Sequence, residues 1–380
     1  MQNIEYVQRA EPGIGKVIRY CRSTQRLEFL DSPEPPPAGS RLCDPDGAPG
    51  PGHLAAPLKL FISCTRRCDL DCPMCFAKDP SYQQSPVSAE DVHSVLSQAG
   101  EMGILEVRLT GGEPTVHPHF FEFVDHIVDL GINTSMNTHG AYSRRLLKKV
   151  AACPIDDVRV SIDGPEVVHD SLRGKGTFRR AVRTVRRLKG TGKKVRINTI
   201  VFRANVDKLE PMVSLARDLG VVIRFCPMRA IGRAAEPSFA GENVISPTEW
   251  RAVESRLAER GLLDQGVICF SGDEVEDLSL CSGMQAGLEE CLCAPYLTQM
   301  GIDPEGEAYA GGCIDDVDKK FSVGSVQKLP LRTLWYRATQ NVVRRILPRF
   351  SNCAGCSPKR MWQVWTEQLM GPENESRHLY

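Results

Sequence analysis

The run Cys64-Thr65-Arg66-Arg67-Cys68-Asp69-Leu70-Asp71-Cys72-Pro73-Met74-Cys75-Phe76 sets Cys68, Cys72 and Cys75 at x3 and x2 spacing. A loop carrying three thiolates can wrap three irons of a cubane and leave the fourth iron without a protein ligand. An open iron is a place for a substrate to bind. The competing reading is a zinc knot closed by Cys64, because a structural zinc needs four ligands. More cysteines fall in the C-terminal third: Cys281, Cys291, Cys293, Cys313 and the pair Cys353-Ala354-Gly355-Cys356. The chain has 15 cysteines, many for a compartment in which disulfides do not persist, so metal ligation is the leading explanation for the clustered ones. Isolated ones such as Cys21, Cys43 and Cys153 read as ordinary thiols.

Composition limits the classes open to the chain. With 380 residues, 42% of them hydrophobic, it can bury one large α/β domain and a smaller appendage. Lys+Arg and Asp+Glu both number 47, which gives no bulk charge for nucleic acid or an anionic membrane. No apolar window is long enough to span a bilayer, and Met1-Gln2-Asn3-Ile4-Glu5 lacks the basic and apolar regions of a signal peptide. These features predict a cytoplasmic protein with neither a nucleic-acid nor a membrane partner.

Residues 1–56 stand apart: Lys16–Tyr20 and Leu27–Leu30 predict a hairpin, and the Pro/Gly-rich stretch from Ser32 to Pro57 predicts a mobile linker. From Leu58 apolar strands alternate with amphipathic helices, the pattern of a parallel sheet built from βα units. The predicted strands are Leu58–Ser63, Leu105–Thr110, Asn133–Asn137, Val158–Asp163, Val195–Val201 and Val221–Pro227. The helix before the fifth strand carries Phe178, Val182, Val185 and Leu188 on one face, with Arg179, Arg180, Arg183, Arg186 and Arg187 elsewhere. Those arginines read as a solvated face, or as a surface for an acidic substrate. A capping box at Ser246-Pro247-Thr248-Glu249 opens another helix, so the core is expected over residues 57–240. In parallel α/β folds chemistry sits at the C-terminal ends of the strands, and the cysteine loop falls at such an end.

At this point the sequence resembles the radical S-adenosylmethionine (SAM) superfamily, whose hallmark is a CxxxCxxC loop after the first barrel strand. The resemblance implies a partial (βα)6 TIM-type barrel. It further implies a [4Fe–4S] cluster on Cys68, Cys72 and Cys75 whose open iron chelates SAM, and reductive cleavage of SAM to a 5′-deoxyadenosyl radical. Gly111-Gly112-Glu113-Pro114 follows the second strand as the family's GGEP motif does, and there the backbone and Glu113 are expected to hold the SAM ammonium. Residues without Cβ allow such a close main-chain approach. Asn137-Thr138-His139-Gly140 matches a T-N-G type segment more loosely, with His139 as readily a loop residue as a functional one. Ser161-Ile162-Asp163-Gly164 and the segment from His169 to Gly174 resemble the SxDG and hD-x-x-R-G segments, which assigns Ser161 and Arg173 to the SAM carboxylate. Asn198 and the loop after Pro227 are expected near the ribose and adenine.

The C-terminal third resembles the SPASM/twitch extension. Asp303–Tyr309, Phe321–Ser325 and Leu331–Trp335 are read as its hairpin, strand and helix start, over residues 241–360. The resemblance implies a second, auxiliary [4Fe–4S] cluster on Cys293, Cys313, Cys353 and Cys356, with Cys281 or Cys291 as substitutes for the first ligand and a zinc ribbon as the alternative. No cysteine follows Cys356, so the one-cluster form fits better. Residues 361–380 read as a short helix and polar tail.

The chemistry implied is hydrogen-atom abstraction from an unactivated C–H bond, the cofactor doing the hard step and the protein orienting and sheltering it. If an auxiliary cluster accepts the substrate electron, the result is dehydrogenation or cross-linking. If a thiol returns a hydrogen atom, the result is epimerisation, and Cys226 is placed for that role, with Cys269 and Cys281 as further candidates. The expected substrate is a sugar or aminocyclitol type natural-product intermediate, because residues 1–56 are too short for a winged-helix peptide-recognition domain. A ribosomally made peptide is the alternative, and a non-catalytic iron–sulfur protein the third reading. A flavodoxin- or ferredoxin-type electron donor is implied as partner.

Overall fold

The computed structural model describes residues 5–12, 16–23, 26–30, 37, 40–43, 54–78, 87–228, 230, 232–262, 267–270, 298–311 and 322–341. Six parallel strands form the centre: β5 (Lys59–Ser63), β6 (Glu106–Thr110), β7 (Asn133–Thr138), β8 (Asp157–Ser161), β9 (Lys194–Val201) and β10 (Val222–Pro227). Each lies within two residues of its predicted bounds. Between them run α1 (Ala89–Glu101), α2 (Phe120–Asp129), α3 (Arg144–Ala152), α4 (Glu166–Arg173), α5 (Thr177–Lys189) and α6 (Leu209–Leu219).

Alternation along these strands separates two faces. Leu60, Ile62, Val107, Leu109, Met136, Val158, Val160, Ile197, Ile223 and Phe225 join the main hydrophobic core with the apolar stripes of the helices. The intervening residues are polar and ion-paired: Lys59 lies 3.0 Å and Arg108 2.7 Å from Glu106, while Arg159 and Arg196 each approach Asp157 at 3.5 Å. Burial opposes charge on Glu106, yet Lys59 and Arg108 hold its carboxyl well below the usual range. On α5, Ala181, Val182, Val185 and Leu188 are buried and Arg179, Arg183, Arg186 and Arg187 exposed.

The sheet does not stop at residue 240. After α7 (Pro237–Asn243) and α8 (Pro247–Glu259), the latter opened by the Ser246/Glu249 capping box, β11 (Ile268–Phe270) pairs in parallel with β10. On the other edge β12 (Gln299–Ile302) pairs with β5, and β13 (Glu307–Ala310) and β14 (Ser322–Ser325) follow antiparallel, giving ten strands. The hairpin, strand and helix expected in the C-terminal third are therefore present, the helix as α9 (Leu331–Asn341), but they extend the central sheet instead of standing apart from it.

Residues 1–56 are more than a hairpin and linker. β2 (Lys16–Cys21) and β3 (Arg26–Leu30) form the expected hairpin, flanked by β1 (Tyr6–Glu11) and β4 (Ser40–Cys43) in a four-stranded sheet ordered β3-β2-β1-β4. Gln8, Arg9 and Glu11 interrupt the apolar pattern and hide β1 in the sequence. Arg9 and Glu11 are fully buried, 2.6 Å apart, with Arg9 donating to the carbonyls of Ala56 and Gly103 at 2.9 Å and Glu11 accepting the Ala55 N–H at 2.6 Å. A buried pair with all its hydrogen bonds made fastens this sheet to the core.

Candidate functional site

The cysteine loop begins where β5 ends. Cys64 still belongs to the ladder, its N–H bonded to Thr110 O at 2.9 Å, and its thiol is buried in the main core, where burial pushes its pKa up to about 12. Cys72 and Cys75 pack instead with Met74, Phe202, Met228 and Ala234 in a separate small cluster. Cys64 does not pack with Cys72 and Cys75, which weighs against it as the fourth ligand of the zinc reading. Nor do the Sγ atoms of Cys68, Cys72 and Cys75 converge within 4.8 Å of one another; thiolates on one tetrahedral zinc sit roughly 3.8 Å apart. Burial pushes Cys68 up to about 12 and raises Cys72 as well, so these thiols hold their protons until a metal displaces them.

Gly111 and Gly112 explain how the loop is held. Gly112 N–H donates to Thr65 O at 2.6 Å and Glu113 N–H to Arg67 O at 2.9 Å, so the turn after β6 is stitched to the cysteine loop by its backbone. A Cβ on Gly111, whose φ is +128°, would lie 2.3 Å from Thr65 O, and one on Gly112 would lie 2.3 Å from Arg67 O. The close approach these glycines permit is therefore to protein backbone first, not to a ligand as expected. Pro114 opens a 3-10 turn, Pro114–Val116, capped by Glu113.

Glu113 is likewise engaged by protein groups. Its carboxylate is 1% exposed. It accepts from Thr115 N–H (3.3 Å), Thr115 Oγ1 (2.6 Å), Tyr142 OH (3.4 Å), Thr138 Oγ1 (2.8 Å) and His139 N–H (3.0 Å). As arranged it ties the β6 turn to the β7 turn and presents no face to a ligand's ammonium. His139 is buried, its Nδ1 accepting the Ala141 N–H at 2.8 Å and its Nε2 lying 2.8 Å from Asp69 Oδ1 inside the cysteine loop. That bond holds the Asp69 carboxyl below its usual range.

At the end of β7 and beyond it some polar groups are less occupied. Asn137 Oδ1 and Asn198 Oδ1 are buried without a hydrogen-bond partner among the described residues. Asn198 sits beside Ser161 on β8 and beside Arg224 on β10 in register. Asp163, fully buried, accepts Ile200 N–H at 2.9 Å and Arg173 Nε at 2.5 Å. Burial opposes the Arg173 charge, but Asp163 and the neighbouring Cys72 and Cys75 raise its pKa overall, which places the guanidinium beside the cysteine loop. Among the described residues Arg173 makes one side-chain hydrogen bond, through Nε, leaving its terminal nitrogens to other acceptors. His169 Nδ1 accepts Asp163 N–H at 3.1 Å, while its Nε2 is buried without a partner among the described residues and burial lowers its pKa to about 4. Cys226 lies half-buried at the end of β10, paired in register with Ile200.

Two contacts were invisible in the sequence because they join distant segments. Arg66 in the cysteine loop meets Glu305 of the β12–β13 hairpin at 2.5 to 3.1 Å. Arg233 donates to Asp71 at 2.7 Å, and its N–H reaches Cys75 O at 3.3 Å, so the segment after β10 braces the loop from behind. Arg229 and Ile231 of that segment lie outside the described residues, as do Cys281, Cys291, Cys293, Cys313, Cys353 and Cys356.

Fold and site together define a parallel βα scaffold that carries a three-cysteine loop at the end of its first central strand and, at the ends of later strands, buried polar atoms without partners among the described residues. The family model for the radical SAM superfamily matches residues 62–216. The chain is 31% identical to the mycofactocin maturase MftC of Mycolicibacterium smegmatis over 278 residues, 72% of this chain and 68% of that protein. It is also 31% identical to the antilisterial bacteriocin subtilosin biosynthesis protein AlbA of Bacillus subtilis over 327 residues, 81% of this chain and 68% of that protein. Streptococcus suis SuiB bound to precursor peptide SuiA superposes with a TM-score of 0.62 at 17% identity, covering 82% of this chain and 74% of that one, a likeness of fold. The chain belongs to the radical SAM superfamily, enzymes that use a [4Fe–4S] cluster and SAM. The donor set fits both: three spaced thiols for the cluster, and unpartnered buried oxygens for a polar organic cofactor.

Proposed function

We propose that this enzyme is a peptide maturase that cleaves SAM and abstracts a hydrogen atom from a C–H bond of a ribosomally made peptide. The observation that carries the peptide reading is the pair of relatives, a maturase and a bacteriocin biosynthesis protein, each 31% identical over most of this chain. They favour a peptide over the sugar or aminocyclitol substrate that the short N-terminal region suggested.

In this reading Cys68, Cys72 and Cys75 hold the cluster, which when bound supplies the electron that cleaves SAM. The protein's own part is positional. Gly112 and Glu113 fix the loop through their N–H groups, and the backbone of Gly111-Gly112 would receive the ammonium in place of the occupied Glu113 carboxylate. Arg173, braced by Asp163, presents its terminal nitrogens to the carboxylate beside Ser161. Asn137 and Asn198 offer their unpartnered oxygens to ribose and adenine donors. Cys226 is a candidate hydrogen-atom donor. The six central units curve into a partial (βα)6 barrel over residues 57–240. Cys293, Cys313, Cys353 and Cys356 carry an auxiliary [4Fe–4S] cluster within 241–360, ahead of a tail at 361–380, and a flavodoxin- or ferredoxin-type protein delivers electrons.

The test is anaerobic reconstitution followed by incubation with SAM, dithionite and short peptides encoded beside the gene. The expected result is 5′-deoxyadenosine together with a mass change in one peptide. Formation of 5′-deoxyadenosine with every peptide unchanged, and with a sugar or aminocyclitol oxidised instead, would return the substrate to the small-molecule class.

A further inference from the structure

Asp69 stands between the first two cysteines of the loop, and its partner comes from a different strand. His139 Nδ1 accepts the Ala141 N–H at 2.8 Å, and a ring nitrogen that accepts a hydrogen bond carries no proton. The neutral ring therefore keeps its proton on Nε2, which has Asp69 Oδ1 at 2.8 Å on one side and Glu113 Oε2 at 3.4 Å on the other. The His139 side chain is 5% exposed and that of Asp69 59%. Cys68 Sγ, the Asp69 carboxylate and a His139 ring nitrogen all lie within 4.8 Å of one another. The next residue completes the setting, since Leu70 N–H points at Cys68 Sγ at 3.4 Å.

We propose that His139 is a positioning residue for the iron–sulfur cluster: through Asp69 it fixes the first cysteine of the loop and holds a carboxylate beside that thiolate, so that the pair governs both cluster retention and reduction potential. The inference rests on Cys68, Cys72 and Cys75 being the cluster ligands. Groups behind metal ligands orient them and tune the metal. Two effects are separable here because they reside on different atoms. The orientation depends on the Nε2–H donor reaching an Oδ1 acceptor. The potential depends on the carboxylate's charge, since a negative charge beside the cluster opposes the addition of an electron.

Four full-length proteins separate them after anaerobic reconstitution: wild type, Asp69→Asn, His139→Gln and His139→Ala. Asparagine keeps the acceptor oxygen and loses the charge; glutamine keeps an N–H donor; alanine loses it. Iron and sulfide content, the rate of iron loss to a chelator, and the midpoint potential of the cluster whose EPR signal responds to SAM are measured for each. His139→Ala is expected to lose iron about tenfold faster, within the range that partners of metal ligands command, with His139→Gln close to wild type. Asp69→Asn is expected to retain iron and to show a raised midpoint potential. A His139→Ala protein that melts lower in its apo form yet matches wild type in iron loss and potential would make the role merely structural and overturn the proposal. So would Asp69→Asn with an unchanged potential. A wild type that assembles no cluster would instead overturn the ligand assignment on which the proposal rests. If His139→Ala does not fold, the exposed Asp69 still carries the test through its potential.

Discussion

The strand ends of β5 to β7 and those of β8 to β10 differ in how far protein occupies their polar groups. In the first half most are satisfied by protein, with Asn137 Oδ1 at the end of β7 as the exception: Glu113 accepts five donors, His139 bridges to Asp69, and the cysteine loop is bonded through Gly112 and Glu113 to the next strand. In the second half Asn198 Oδ1 and His169 Nε2 are buried without partners among the described residues, and Arg173 is held by one edge. Buried polar groups are normally paired, so an unpaired one signals a function or a ligand. The contrast suggests a division of labour, with one half shaping a metal loop rigidly and the other keeping hydrogen-bonding capacity for an organic cofactor.

Three substitutions probe that contrast, in descending order of effect. Cys72→Ala should abolish 5′-deoxyadenosine formation altogether, while a protein carrying the proposed auxiliary cluster keeps about four irons; loss of all iron would remove the auxiliary cluster from the account. Glu113→Ala leaves buried donors of two turns unsatisfied and should destabilise the apo-protein by roughly 3 kcal/mol, read from urea unfolding. A loss below about 0.5 kcal/mol would show that the first half is not held as described.

His169 gives a pH-dependent test on the other half. The unfolded side chain takes up a proton near its ordinary value of 6.5 and the folded one only near pH 4. Between those values the unfolded state binds more protons, so stability falls as pH drops through that window, by an amount on the order of 2 kcal/mol. In His169→Asn the amide oxygen can accept the Asp163 N–H without titrating. Its unfolding free energy should accordingly vary less between pH 6.5 and pH 4 than that of wild type, and an identical slope would remove His169 as the cause.

Much of this was legible in the sequence, and the remainder was hidden for definable reasons. The six central strands were readable because each alternates an apolar core face with a polar one, as in Leu60 and Ile62 against Lys59. The cysteine loop, Gly111–Pro114 and Ser161 each sit at or near a strand end in the sequence, whereas Arg173 closes α4 and was reached through its motif. β1 was hidden because its buried pair, Arg9 and Glu11, looks like solvent-facing charge until its partners are known. The contacts of Glu113 and His139 were hidden for a related reason: their partners Tyr142 and Asp69 lie 29 and 70 residues away, and no local pattern reports such contacts. The motif glycines were recognised as sites of close approach, but only the coordinates identify Thr65 O and Arg67 O as what approaches.

The most direct test of the division of labour is SAM affinity set against iron content in reconstituted Arg173→Ala and Asn198→Ala. Losing a charged hydrogen bond should weaken SAM binding about tenfold or more in Arg173→Ala, and losing a neutral one several-fold in Asn198→Ala, with iron and sulfide unchanged in both. Iron lost in step with SAM affinity, or SAM bound as tightly as by wild type, would contradict it.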